Sequence, residues 1–253
     1  MVEIGYNPAM IGLSEAILHN TSGVRITLRD ANVCRVLQSF VDFFVLDPVA
    51  SALSDEMLQS MLLVANEKPV LVRAEDHSPS TLQKYLNWGV DGLIIPNIRT
   101  EVEAENAIAA CLYPPEGVRP YRPLHKLDEV DLGVVNDQVT LIIEVAHQST
   151  VAQIESIAEI TGLDGLLVMP KALSVAMELN GRLDHPELLA ALGTILKTAE
   201  SFDLPCGFED VVSDKLRANF HVLTSDVALL QKAAKQVLGE PDTEENNGLH
   251  ALR

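Results

Sequence analysis

The sequence has few basic residues, few cysteines and no long apolar run. Lys and Arg number 18 against 36 Asp and Glu, which gives a formal net charge of −18. A chain this acidic is repelled by phosphate backbones and by anionic lipid, so neither nucleic acid nor a membrane is expected as a partner. No apolar run approaches the roughly 18 residues that a spanning helix needs. The first residues also lack the pattern of a secretory signal peptide.

The three cysteines, Cys34, Cys111 and Cys206, are odd in number, far apart and without a Cys-x-x-Cys pair. This excludes a disulfide framework and favours thiols that behave as small buried apolar groups in a reducing compartment. We therefore expect a cytoplasmic globular protein.

Short β-branched apolar runs alternate along the chain with longer amphipathic stretches. Eight runs are predicted to be strands: 24–28, 43–47, 70–73, 92–96, 140–145, 165–169, 205–208 and 220–223. Their near-continuous apolar character indicates burial on both faces, as in a parallel sheet covered by helices. Eight such strands in 253 residues favour an α/β fold of the (β/α)8 TIM-barrel type, in a single domain over 1–238.

Three further features refine this prediction. No Gly-rich phosphate loop follows the first strand, which disfavours dinucleotide binding. The proline-rich segment 113–139 is expected to be a long loop after a strand, on the functional rim of the barrel. The acidic tail, 239–253, is expected to be disordered.

Four stretches are more specific than the alternation. They are Val-Arg at 72–73, Gly-Val-Asp-Gly-Leu-Ile-Ile-Pro at 89–96, Tyr-Pro-Pro-Glu-Gly-Val-Arg at 113–119 and Leu-Asp-His-Pro-Glu at 183–187. Together they resemble the class II 2-oxo-acid aldolases of the HpcH/HpaI type, and the likeness extends from about Gly23 to Leu238. The resemblance implies a TIM barrel that makes or cleaves a carbon–carbon bond next to a pyruvate enolate.

In that family a divalent metal, held by a Glu and an Asp at two strand ends, stabilises the developing enolate charge. An arginine holds the substrate carboxylate, and an Asp–His pair moves protons. The resemblance places the arginine at Arg73 and the aspartate at Asp47, and both are present. The other three positions are alanine: Ala50 for the histidine, Ala146 for the metal Glu and Ala172 for the metal Asp.

Alanine offers no oxygen to a hard cation, so the metal of the family is expected to be absent and no other cofactor is expected. Three alanines at catalytic positions could mark a deliberately inactivated enzyme. Departures from the family pattern at Arg25, Val49, Met169 and Lys171 favour natural divergence instead.

Two of the departures introduce charge near the expected site. A position that is usually glutamine is Glu144, and a position that is usually aromatic is Arg25. Arg73, Arg25, Glu144 and Asp47 are therefore the candidate substrate-binding residues, and two arginines would make the mouth cationic. The alternative is that the four pair with one another in a closed structural network.

Three functions remain open on these residues. The first is a degenerate aldolase-like barrel that binds a small anionic oxo acid or a protein partner without catalysis. The second is an active, metal-independent carbon–carbon lyase on a 2-oxo acid with a rearranged site. The third is a purely structural subunit. The resemblance also implies a homo-oligomer in which the last predicted helix, 226–238, packs against a neighbouring subunit. That helix carries an apolar face that something must cover. An active paralogue is an alternative partner.

Overall fold

The computed structural model describes residues 20–65, 67–121, 132–210 and 216–239. The predicted acidic tail lies outside the described residues apart from Gly239. Within the described residues, no helix combines the length and apolarity needed to cross a bilayer.

Eight parallel strands form a closed barrel in which each strand pairs with its neighbours in chain order. The strands are β1 Thr21–Ile26, β2 Phe43–Leu46, β3 Val70–Arg73, β4 Gly92–Ile95, β5 Thr140–Val145, β6 Gly165–Val168, β7 Cys206–Glu209 and β8 Phe220–Ser225. The predicted (β/α)8 barrel is thereby confirmed.

Eleven α-helices are described between and after these strands. They are α1 Asn32–Leu37, α2 Pro48–Ser51, α3 Asp55–Val64, α4 Pro79–Asn87, α5 Glu101–Cys111, α6 Leu132–Asp137, α7 Gln148–Ala152, α8 Ile154–Ala158, α9 Pro170–Ala176, α10 Pro186–Ser201 and α11 Asp226–Leu238. Several begin at a hydroxyl N-cap, such as Ser78 at α4 and Thr100 at α5. These caps satisfy backbone N–H groups that the first helical turn leaves free.

The first strand lies earlier in the chain than the sequence predicted. It begins at Thr21, which pairs with Phe220 of β8, and it ends at Ile26. The backbone N–H groups of Thr27 and Leu28 instead donate to the buried carboxylate of Asp226. This side chain therefore ends the strand.

The barrel interior is filled by side chains, so it is a core rather than a channel. Phe43 and Phe220 pack against each other inside it, with their rings edge to face and centroids 6.3 Å apart. A Cβ at Gly23 or Gly207 would overlap one of these rings. The two glycines therefore make room for the two phenylalanines.

The same side-chain to backbone hydrogen bond recurs at the amino-terminal ends of the strands. The residue just before each even-numbered strand accepts a hydrogen bond from a backbone N–H at the start of the preceding odd strand. Asp42 accepts from Ser22, Asp91 from Val70, Asp164 from Leu141 and Asn219 from Cys206, at 2.7 to 2.9 Å. Two of these carboxylates come from the Gly-Val-Asp-Gly and Gly-Leu-Asp-Gly motifs, whose role here is to join strand pairs.

The prediction for segment 113–139 was wrong. The segment follows α5 and precedes β5, so its described parts connect a helix to a strand at the end of the barrel opposite the functional rim. In the Tyr-Pro-Pro motif, the N–H groups of Val118 and Arg119 donate to the carbonyls of Ala109 and Leu112 at 2.8 and 2.9 Å. The motif thus caps the carboxyl end of α5.

Candidate active site

Five charged side chains lie at the carboxyl ends of the strands and share the inward parity of the barrel core. They are Arg25 on β1, Asp47 just after β2, Arg73 on β3, Glu144 on β5 and Glu209 on β7. Parallel strands bring their carboxyl ends to one rim, which in TIM barrels is the functional one. The structure therefore brings together all four predicted binding residues and adds Glu209.

Arg73 and Glu144 form the tightest contact. Nε of Arg73 donates to Oε2 of Glu144 at 2.5 Å, and Nη2 donates to Oε1 at 3.0 Å. The third nitrogen, Nη1, lies 3.4 Å from Oδ2 of Asp47. Hydrogen bonding to Glu144 is the main cause that raises the pKa of the Arg73 guanidinium. Arg73 is thus fully engaged by carboxylates of its own chain.

Arg25 is less fully engaged. Its Nη1 lies 2.5 Å from Oε1 of Glu209 and 3.9 Å from Oδ2 of Asp47. Its Nε is buried and has no hydrogen-bond partner among the described residues. The five groups form a chain of alternating sign, in which Asp47 lies between the two guanidiniums.

Glu209 changes the charge that was expected at the mouth. Two guanidiniums now face three carboxylates, so the five groups carry a formal charge of −1, whereas the four predicted residues alone sum to zero. Burial raises the pKa of the Glu209 carboxyl, and the charge of Arg25 opposes that rise. The arrangement is that of the closed network which the sequence left open as an alternative.

Asp47 has a second, local role. Its Oδ1 accepts the backbone N–H of Ala50 at 3.0 Å, which makes Asp47 the N-cap of α2. Ala50 itself is exposed and brings no proton-transfer group to the mouth. Of the Asp–His pair implied by the resemblance, only the aspartate is present, and it caps a helix.

The two alanines at the family's metal positions lie in different surroundings. Ala146 is buried in the barrel interior beside Leu167 and Met169. Ala172 is exposed, near the start of α9. Met169 is only 8% exposed, so apolar side chains occupy the β5–β6 side of the mouth.

These residues do not fit a divalent metal. Hard cations need several carboxylate or carbonyl oxygens, and both oxygens of Glu144 are already bonded to Arg73. In the part of the chain that the structure describes, no group of three or more His, Cys, Asp or Glu residues could hold a metal ion.

Two other polar residues lie near the rim and outside this network. His147 is the N-cap residue of α7, with no side-chain capping bond. Lys171 is exposed in the first turn of α9, away from the inward positions.

Comparison with known proteins agrees with this architecture. A profile of the HpcH/HpaI aldolase/citrate lyase family matches residues 49–225. The chain belongs to this family. It is 28% identical over 211 residues to the 5-keto-4-deoxy-D-glucarate aldolase of Citrobacter koseri, a match that covers 78% of this chain and 81% of that protein.

Solved structures show the same fold at low identity. An HpcH/HpaI aldolase/citrate lyase family protein from Burkholderia cenocepacia J2315 superimposes with a TM-score of 0.82 at 20% identity, covering 89% of this chain and 97% of that one. The HpcH/HpaI aldolase of Desulfitobacterium hafniense DCB-2 gives 0.80 at 21% identity, covering 91% and 97%.

Sequence reasoning missed Glu209 because the predicted strand 205–208 ended one residue too early. The signal was present, since Gly207 faces Phe220 inside the barrel and Glu209 follows two residues later with the same parity. Extending the strand by one residue predicts an inward carboxylate at the mouth.

Proposed function

We propose that this protein is a non-catalytic member of the HpcH/HpaI family, which binds a small carboxylate or a protein partner without turning it over. The observation that carries the proposal is the two-point contact between Arg73 and Glu144. The resemblance gives Arg73 the task of holding a substrate carboxylate, and here a carboxylate of the chain already fills that place.

The Arg73–Glu144 ion pair is expected to stay formed in the resting protein. Glu144 is only 3% exposed, and a substrate that took Arg73 would leave this carboxylate buried without its partner. Removing one member of a buried ion pair typically costs about 3–5 kcal/mol. A small ligand at Arg73 would have to offset that cost, so the pair is expected to persist.

The alanines at three catalytic positions of the family agree with this proposal. Ala146 and Ala172 supply no ligand for the metal of the family, and Ala50 supplies no proton acceptor. The three thiols are unpaired, which fits the reducing cytoplasm as the proposed location.

Association with other subunits is the second part of the proposal. Leu230, Val237 and Leu238 on α11 are 62%, 81% and 83% exposed. Helices with such an apolar face are normally covered. We assign this face to a second copy of the chain or to an active paralogue.

Activity measurements test the proposal directly. The purified protein is given oxaloacetate, or pyruvate with an aldehyde acceptor, with and without Mg²⁺ or Mn²⁺. The rate is expected to equal that of buffer plus metal. A companion variant, Ala146→Glu with Ala172→Asp, should gain Mn²⁺ binding detectable by electron paramagnetic resonance, whereas Val175→Asp on α9 should not. Metal-stimulated turnover by the unaltered chain contradicts the proposal.

A second candidate is a carbon–carbon lyase with a rearranged, metal-independent site. It is favoured by the inward carboxyl of Glu209, whose raised pKa suits proton transfer. Turnover of an oxo acid that survives a chelator and is lost in Glu209→Gln would establish it. Chelator-resistant turnover that is unchanged in Glu209→Gln would exclude Glu209 as the acid–base group.

A further inference from the structure

Three asparagines of the described chain have a left-handed backbone. Asn20 and Asn97 have a φ of 60°, and Asn180 has a φ of 56°. All three are exposed. They differ in the residue that follows, because Thr21 and Ile98 are buried residues with β-branched side chains, whereas Asn180 precedes a glycine.

Asn180 and Gly181 are the central residues of a tight turn in the connection between α9 and α10. The N–H of Arg182 donates to the carbonyl of Leu179 across this turn at 3.2 Å, and Gly181 has a φ of 71°. Positive φ at both central positions is typical of a type I′ turn, for which Asn-Gly is a preferred pair. The backbone of the turn therefore explains why this dipeptide is present.

The two groups of this dipeptide that can react with each other are both unengaged. The backbone N–H of Gly181 and the side-chain amide of Asn180 have no hydrogen-bond partner among the described residues. A Cβ added to Gly181 would find its nearest neighbours, on Lys171 and Val175, only at 3.9 Å. The space around the Gly181 backbone is therefore open, and solvent can reach its N–H.

We propose that Asn180 is a site of spontaneous deamidation in the folded protein, which fits the known chemical lability of asparagine. The nitrogen of Gly181 gives its proton to hydroxide and attacks Cγ of Asn180. The new C–N bond closes a five-membered succinimide, while the C–N bond of the side-chain amide breaks. The leaving nitrogen takes a proton from water and departs as ammonia. Water then opens the ring at either carbonyl, which leaves aspartate or isoaspartate.

This modification needs no reactant besides water, and it is independent of whether the protein binds or turns over an oxo acid. Both products add a negative charge to the turn, and isoaspartate also lengthens the main chain by one methylene. The hydroxyl of the buried Ser174 donates to the carbonyl of Arg182 at 3.1 Å. A longer main chain at position 180 displaces this carbonyl, so the isoaspartate form should unfold at a lower urea concentration.

Peptide mapping of the aged protein tests the proposal. The full chain is incubated at pH 8 and physiological temperature, beside a synthetic peptide of residues 172–182 as the unfolded reference. Trypsin cleaves after Lys171 and Arg182, and Asn180 is the only asparagine between these sites. Mass spectrometry follows the gain of one mass unit, and chromatography separates the two products.

The folded chain should react at no less than about a tenth of the rate of the peptide, because opening this exposed turn breaks a single backbone hydrogen bond across it. Asn97 is the internal control, since it shares the exposure and the left-handed backbone but precedes Ile98. It should remain intact while Asn180 converts. Asn180→Gln should abolish the mass gain in its own peptide, because glutamine would have to close a six-membered ring.

Three results would overturn the proposal. If Asn180 stays intact in the folded chain while the peptide reacts, the turn protects the asparagine. If Asn97 converts as fast as Asn180, the following glycine and the open N–H do not determine the site. If the mass gain persists in Asn180→Gln, it arises elsewhere in the peptide.

Discussion

The guanidinium edge of Arg73 lies against the carboxylate of Glu144, with Nε to Oε2 at 2.5 Å and Nη2 to Oε1 at 3.0 Å. Two parallel hydrogen bonds of this kind are the strongest polar contact that a side-chain pair offers. The pair joins β3 to β5 across the mouth, where the family would place a substrate.

Replacing Arg73 should destabilise the fold more than replacing Glu144. Arg73→Ala leaves Glu144 buried and unpaired, and we expect it to lower the free energy of unfolding by about 3–5 kcal/mol. Glu144→Gln keeps the side-chain volume and one acceptor, and should cost about 1–2 kcal/mol. Urea unfolding of both single variants and the double variant measures the coupling.

A surface pair provides the control for this measurement. Lys84 lies 3.3 Å from Asp55, whose side chain is 58% exposed. Asp55→Asn should therefore change stability by no more than about 1 kcal/mol. An equal loss in Arg73→Ala and Asp55→Asn would show that the mouth pair contributes little.

Asp164 should make the protein less stable as the pH rises. Burial raises the pKa of this carboxyl from 3.8 to about 6. Because the pKa in the folded state is higher than in the unfolded state, the folded state binds a proton more tightly. The stabilisation from that proton is complete below pH 3.8 and is lost as the pH rises through 6.

Asparagine at this position keeps the acceptor for the N–H of Leu141, as Asn219 does for Cys206. Asp164→Asn should therefore raise the free energy of unfolding at pH 8 by on the order of 1–3 kcal/mol, and the gain should shrink as the pH falls towards 4. The control is Asp42→Asn, which changes the matching carboxylate at an exposed position. A gain at Asp164 that is the same at pH 8 and at pH 4 would contradict the argument.

Charge on the exposed face of α11 should prevent the proposed association of subunits. Leu230→Glu with Val237→Glu places carboxylates where an apolar partner surface is expected, and light scattering should then return the mass of a single chain. Gln231→Glu adds the same kind of charge to an exposed polar position and should leave the assembly intact. If the unaltered chain is already monomeric at micromolar concentration, the proposed association is wrong.

The three native thiols should resist modification in the folded protein. Burial raises the pKa of Cys34 to about 11 and those of Cys111 and Cys206 to about 12, so little thiolate exists at pH 8. Ellman's reagent should therefore react slowly with the native chain and rapidly with the urea-unfolded one. Val36→Cys places a thiol at a position that is 69% exposed and should add one fast-reacting group.

Much of the fold could be predicted from the sequence, because buried parallel strands consist of short runs of β-branched apolar residues. The order and number of strands followed from this pattern, whereas the end of β1 did not, since the distant Asp226 sets it. Segment 113–139 was assigned to the wrong end of the barrel because proline and charge indicate a loop without indicating which end it joins.

The sequence predicted most residues of the candidate site but did not predict how they pair. Strand parity placed Glu144 inward, and the resemblance placed Arg73 and Asp47. The pairing of these groups depends on distances across the barrel between strands far apart in sequence, which a linear pattern does not contain. Glu209 was missed because the predicted strand 205–208 ended one residue too early, and this carboxylate takes the formal charge of the group from zero to −1.

The carboxylates and the amide that bind each odd strand to the next even one lie at the end of the barrel away from the mouth. Strand register is thus secured at the end of the barrel opposite the candidate site, by Asp42, Asp91, Asp164 and Asn219. A lineage can therefore exchange every reactive group at the rim and still inherit an intact barrel. The scaffold and its chemistry are free to evolve at different speeds.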